Sequence, residues 1–190
     1  MPTAVETAKV FTRLGRNGNG LGVVTDARGL DGAAMQKIAK ILGFSETSFV
    51  LPSDGHGADY LVMYFTPKKE IPFAGHPSVG TLFVRLEKGL LPVKRTYIQK
   101  IDGRKIPPRQ TGDGRIFMEQ GMPVFGKKVD GETLVKLLSL GEGDVVGDGL
   151  VASAGLPHIL APFASKGAMR RTAYPVPFTM GRGGGTRRIA

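Results

Sequence analysis

The chain has 190 residues, 41% apolar and 22% charged, which is the balance of a globular protein with a core rather than of a disordered or fibrous one. It contains no cysteine, and this excludes disulfides, thiolate metal sites and a cysteine nucleophile together. The formal net charge of +10 is unevenly placed: all sixteen acids lie at or before Asp148, and residues 164–190 hold six bases and no acid, so the first 163 residues carry only twenty bases against sixteen acids.

In chain order, Lys9 to Thr12 reads as a short strand ending in the glycine-rich turn Gly15 to Gly20, and Leu21 to Thr25 reads as a second strand. Asp31 is placed to cap a helix carrying Met35, Ile38, Ala39, Ile41 and Leu42, stopped by Gly43. Ser48 to Leu51 and Asp59 to Thr66 read as strands around a Pro- and Gly-containing loop. A helix is expected from about Pro77 to Lys88, with Val79, Leu82, Phe83 and Leu86 at helical spacing and Gly89 as its stop. Pro77 suits the first helical position, where its missing N–H is of no consequence. Thr96 to Ile101 and Arg115 to Glu119 are further strands, Gly131 to Leu140 a further helix, and Leu150 to Phe163 two buried strands split at Gly155-Leu156-Pro157. The pattern is α+β with strands dominating. From residue 166 the chain is basic and rich in Gly and Arg, a composition expected to be poorly ordered.

Several chemistries find no motif. Gly18-Asn19-Gly20-Leu21-Gly22 has the spacing G-x-G-x-G and leads into the strand-like Val23-Val24, not into a helix, so it reads as a hairpin turn and not a dinucleotide fingerprint. There is no phosphate-loop Gly-Lys-Ser/Thr and no Gly-x-Ser-x-Gly elbow. His56, His76 and His158 lack metal-ligand spacing, so no metal is expected. No apolar run reaches the length of a membrane span and the start MPTAVETAKVF has no basic-then-apolar leader, so the expected compartment is the cytoplasm. Nucleic acid is not an expected partner, because the basic excess sits in the tail with only Tyr174 and Phe178 as stacking aromatics.

Two places carry candidate chemistry. Ser45-Glu46-Thr47 lies between a helix stop and a strand, where Glu46 is either a solvated turn acid or a working carboxylate. Gly75-His76-Pro77 opens a helix, where backbone N–H groups at the positive end of the helix dipole suit a carboxylate ligand.

The run SETSFVLPSDGHGADYLVMYFTPKKEIPFAGHPSVGTLFVRLEKG resembles the phenazine-biosynthesis PhzF-like family. The resemblance extends back through VFTRLGRNGNGLGVVTDARGLDGAAMQKIAKILGF and forward to MEQGMPVFG and VASAGLPHILAPF, covering roughly residues 9 to 163. One departure is Gly20, where members usually have proline after Gly-Asn.

The resemblance implies a diaminopimelate-epimerase-like fold of two similar domains, each a curved mixed sheet wrapped around a central helix. It also implies a cofactor-independent isomerase or epimerase acting by acid/base catalysis on a small carboxylate metabolite. Carried over, Glu46 would be the catalytic residue that removes and returns a carbon-bound proton. Ser45, Gly75, His76 and Asn19 would bind substrate, with neither metal nor cofactor, and the expected assembly is a homodimer. Residues 1–112 are then expected to form a complete first domain, 113–165 a partial second domain and 166–190 a basic tail. The Asp-x-x-x-Gly-Ser type segment that the family's second domain supplies has no counterpart here. Truncation, a shifted reading frame and a natural short form all account for that. A catalytically inactive family member or a small-molecule-binding protein is therefore the alternative expectation to an isomerase.

Overall fold

Two runs of small and β-branched residues joined by a glycine-rich turn open the computed structural model as an antiparallel hairpin, β1 (Val5–Val10) and β2 (Asn19–Val24), with Val10 opposite Asn19. The structure describes residues 4–172 and 187–188. Helix α1 (Gly32–Leu42) follows, capped as the sequence predicts: Asp31 accepts from the Ala34 N–H at 2.7 Å, and Gly43 ends it with φ 66°. The chain then crosses into β3 (Glu46–Leu51), parallel to β2, and returns through β4 (Tyr60–Phe65), antiparallel to β3. A two-residue strand, β5 (Glu70–Ile71), pairs with β4 and leads directly into helix α2 (Gly75–Glu87). Strands β6 (Gln99–Ile101) and β7 (Arg104–Ile106) extend the sheet, and β8 (Arg109–Gln110) and β9 (Ile116–Phe117) form a separate small ribbon.

Alternation along the strands sends side chains to two cores. Val10, Leu21, Val23, Val50, Val62 and Tyr64 line one cluster with Val79 and Val84 of α2. Val24, Phe49 and Phe65 line the other with Met35 and Ala39 of α1. On the α2 side the sheet wraps the helix: Pro77, Ser78, Val79, Gly80, Thr81, Leu82 and Val84 are all buried, and α2 touches β1, β2, β3 and β9. A helix surrounded in this way loses the one-sided stripe of a surface helix. This corrects the expectation that Val79, Leu82, Phe83 and Leu86 mark its buried face, since Phe83 and Leu86 are only partly buried while the polar Ser78 and Thr81 are fully so. The helix also starts earlier than expected. Gly75 is its first residue and Pro77 its third, a position whose N–H is equally free of an intrahelical partner. Its end is as expected, with Gly89 at φ 65° donating to Leu86 and Leu90 donating to Arg85 at 2.8 Å, the paired bonds of a Schellman motif.

The contacts divide the chain into two units; the first runs to Glu119, and Ile116 and Met118 pack against the core around α2. The short strand β13 (Arg187–Arg188) lies parallel to β1 in this unit. The second unit begins at Gln120. It holds an antiparallel sheet of β10 (Val124–Val129), β11 (Gly149–Ser153) and β12 (Pro157–Leu160), with helix α3 (Gly131–Leu138) between the first two strands. Asp130 caps α3 through the Thr133 N–H at 2.8 Å, and Leu134 is its buried residue. β12, expected to be buried, is exposed along its whole length, and β10 was not legible as a strand because its centre reads Gly126-Lys127-Lys128. The stretch expected to be a poorly ordered tail begins instead with helix α4 (Lys166–Arg170), which Ser165 caps through the Ala168 N–H at 3.0 Å. Beyond it, 173–186 and 189–190 lie outside the described residues. Among the described residues no helix is long and apolar enough to cross a membrane.

Candidate active site

The register of β2 and β3 sets the site. Leu21 lies opposite Glu46, the first residue of β3, and Asn19 is the first residue of β2, so both polar side chains emerge at the same end of the sheet. With period two along each strand, Asn19 shares a face with Leu21 and Val23, and Glu46 with Ser48 and Val50; that face looks onto α2. The N-terminus of α2 arrives at the same end, because β5 feeds it with only a short connection from Ile71 to Ala74.

Four of the five predicted site residues meet there through their side chains. His76 Nδ1 lies 2.8 Å from Glu46 Oε2, with the two side chains only 10% and 21% exposed. Asn19 Nδ2 lies 3.3 Å from the same ring nitrogen, and Ser45 Oγ donates to Asn19 Oδ1 at 2.9 Å. Gly75 contributes backbone: the first bond of α2 runs from the Ser78 N–H to the Ala74 carbonyl at 3.4 Å, so the N–H groups of Gly75 and His76 have no intrahelical acceptor. Ala74, at the cap position, provides no side-chain partner either.

Asn19 Nδ2 can only donate, so towards Asn19 the His76 Nδ1 presents a lone pair. Glu46 Oε2 approaches the same ring nitrogen to 2.8 Å from β3. The approach is close but not aligned as a hydrogen bond, since Glu46 Oε2 is buried without a hydrogen-bond partner among the described residues. His76 Nε2 is buried and unpartnered in the same way. A carboxylate and an imidazole in contact, each with a polar atom unpartnered among the described residues, beside the first N–H groups of a helix, form an arrangement able to exchange a proton with a bound anion.

Sequence reasoning missed the polar side chains behind this cluster. Tyr64, fully buried in β4, makes a 2.8 Å hydrogen bond with Ser78 Oγ, which itself donates to the Ala74 carbonyl at 2.8 Å. Thr81 donates to Ser48 Oγ at 2.8 Å. Burial pushes the Tyr64 phenol well above its ordinary pKa and the charge of Glu46 adds to that, so it stays a neutral donor. The available signal was two small hydroxyl residues, Ser78 and Thr81, inside an otherwise apolar helix. Gly20, the departure from the resembled pattern, lies under Phe44: a Cβ there would come within 3.0 Å of the ring. Among the described residues no three His, Asp or Glu side chains converge as metal ligands would.

A mixed sheet wrapped around a helix whose N-terminus faces a carboxylate defines an α+β protein of the diaminopimelate-epimerase-like class. The chain belongs to the phenazine biosynthesis-like (PhzC-PhzF) family, whose pattern it matches over residues 8–181. It is 36% identical over 170 residues to YddE, an uncharacterized isomerase of Escherichia coli, covering 85% of this chain and 56% of that one. Among solved structures it is similar to a PhzF-family phenazine biosynthesis protein of Bacillus anthracis, with 31% identity, a TM-score of 0.78, and coverage of 90% of this chain and 59% of that one. A predicted epimerase of Pseudomonas aeruginosa gives 30% identity, a TM-score of 0.76, and coverage of 90% and 62%. The chain spans about half the length of the curated relatives it matches, 43% and 56% in two cases.

Proposed function

We propose that this chain carries the glutamate-bearing part of a cofactor-independent isomerase site, in which Glu46 moves a proton on a carbon atom of a small carboxylate metabolite. The supporting observation is the mostly buried Glu46–His76 contact of 2.8 Å at the N-terminus of α2, with Oε2 and Nε2 both unpartnered among the described residues. The substrate carboxylate would accept from the Gly75 and His76 N–H groups, with the helix dipole favouring its charge. Glu46, ionised, would take the proton from the carbon beside an unsaturated or carbonyl group. The electron pair left behind delocalises into that group, and returning the proton to a different carbon, or to the other face, completes the isomerisation without redox change. Asn19, held by Ser45, would keep the His76 ring oriented.

The test is solvent exchange. The chain is incubated in heavy water with a cyclic, unsaturated amino acid, and deuterium uptake at carbon is followed by NMR. Glu46→Gln keeps the shape of the site but cannot accept a proton, so it should abolish uptake while leaving ligand affinity within about tenfold. Uptake in Glu46→Gln equal to the parent's would remove Glu46 from the mechanism. A second reading, a binding protein without turnover, is favoured by the Gly75 and His76 N–H groups, which suit a carboxylate whether or not Glu46 moves a proton. It predicts ligand binding that His76→Ala weakens, with no exchange in either protein.

A further inference from the structure

The Glu46–His76 contact joins a strand to a helix, and apolar packing alone does not fix how far a helix slides along, or turns against, a surface. At 1.5 Å and 100° per residue, a small slip of α2 would carry the His76 ring away from Glu46. Two hydroxyl links oppose such a slip. Ser48 and Tyr64 are directly opposite each other in the β3–β4 register, and both reach α2: Tyr64 to Ser78, Ser48 to Thr81, each at 2.8 Å. All four residues are completely buried. Ser78 and Thr81 lie about 200° and 140° around the helix from His76, so the links and the His76 contact hold α2 at different points around its axis. Ser48 is also two residues from Glu46 on the same face of the same strand, so one strand carries both a link and the carboxylate. Ser78 then donates to the Ala74 carbonyl at 2.8 Å, immediately ahead of the Gly75 and His76 N–H groups.

We propose that Tyr64, Ser78, Ser48 and Thr81 are positioning residues: their buried hydrogen bonds set the axial and rotational placement of α2, and thereby hold the His76 ring at Glu46 and the first N–H groups of the helix at one end of the sheet. This rests on the reading of Glu46 and His76 as the working pair, yet it is tested without turnover. The probe is the His76 imidazole itself, observed by long-range ¹H–¹⁵N correlation in the labelled full chain and identified by its disappearance in His76→Gln. Tyr64→Phe removes one link, and Thr81→Val, nearly the same size, removes the other. Tyr60→Phe is the control, because that phenol is equally buried and donates to Gln99 at 3.1 Å, and its ring meets α2 at Arg85, in the last turn and not the first. Both test variants should displace or broaden the His76 ring resonances, and Tyr60→Phe should leave them in place although it too lowers the melting temperature. If Tyr64→Phe fails to fold, Thr81→Val carries the decision. The proposal is overturned if the ring resonances stay where they are in the test variants, or if Tyr60→Phe moves them as far. A chain that exchanges no deuterium would count against the catalytic reading and leave this measurement intact.

Discussion

Gly80→Ala sets two well-characterised effects against one another in the middle of α2. Alanine is favoured over glycine in a helix interior by about 1 kcal/mol, so on propensity alone the substitution stabilises. In this fold the added methyl has nowhere to go: its Cβ would lie 2.5 Å from Leu21 Cδ2 and 2.7 Å from Val10 Cγ2. Both contacts fall about 1 Å short of the carbon–carbon optimum. Leu21 and Val10 are completely buried in adjacent strands, so neither side chain has free volume to move into. Overpacking of this kind costs about 1–3 kcal/mol, and two simultaneous clashes against paired strands belong at the upper end. The net expectation is a loss of about 1–2 kcal/mol, read as a lower urea midpoint at unchanged m-value. Gly32→Ala is the matched control, since nothing lies within 4 Å of its Cβ and it should be neutral or slightly stabilising. A Gly80→Ala protein as stable as the parent, or more so, would mean that the sheet does not close on α2, and the wrapped-helix description would fail.

Two further outcomes are checkable by the same unfolding measurements. Leu82 is fully buried and Phe83 only partly so; Leu82→Ala should therefore cost about 2–5 kcal/mol and more than Phe83→Ala, the reverse of the order that side-chain size predicts. Burial raises the pKa of the Asp59 carboxyl, but the Lys94 ammonium at 2.6 Å and the Ile98 N–H at 2.7 Å together outweigh it and hold the pKa below the ordinary 3.8. A folded-state pKa below the unfolded one gives stability that is present above that ordinary value and lost as pH falls through the folded value. The gap in stability between the parent and Asp59→Asn should thus shrink in acid, and a gap that is constant with pH would refute the assignment.

The ends of helices were the most legible features of the sequence, because caps are local chemistry. Asp31 and Gly43 bracket α1, and Gly89 closes α2, each through bonds spanning only a few residues. The start of α2 was misread for a local reason as well: proline is as comfortable at the third helical position as at the first, so Pro77 alone did not place Gly75 inside the helix. The site itself was not readable from spacing. Glu46 and His76 are brought together by the β2–β3 register and by the path of β5 into α2, neither of which leaves a periodic trace, and only the resemblance joined the two blocks. The hydroxyl links escaped for the complementary reason. Ser and Thr inside a helix read as breaks in an apolar stripe, and only the partner across the core shows them to be satisfied.

The close approach at Gly80 and the contact at Glu46 are parts of one geometry. Leu21 is the residue that a Gly80 methyl would strike, and Leu21 is also the register partner of Glu46. The depth at which α2 sits against β1 and β2 therefore fixes the separation between the helix and the carboxylate on the neighbouring strand. His76 lies four residues before Gly80, one turn towards the N-terminus on nearly the same face. A helix pushed outward at Gly80 would carry His76 away from both Asn19 and Glu46, separating atoms now 3.3 and 2.8 Å apart. The glycine that lets the core close is thus also what lets the helix-terminal imidazole reach the strand carboxylate, so the packing of the core and the geometry of that contact depend on the same close approach.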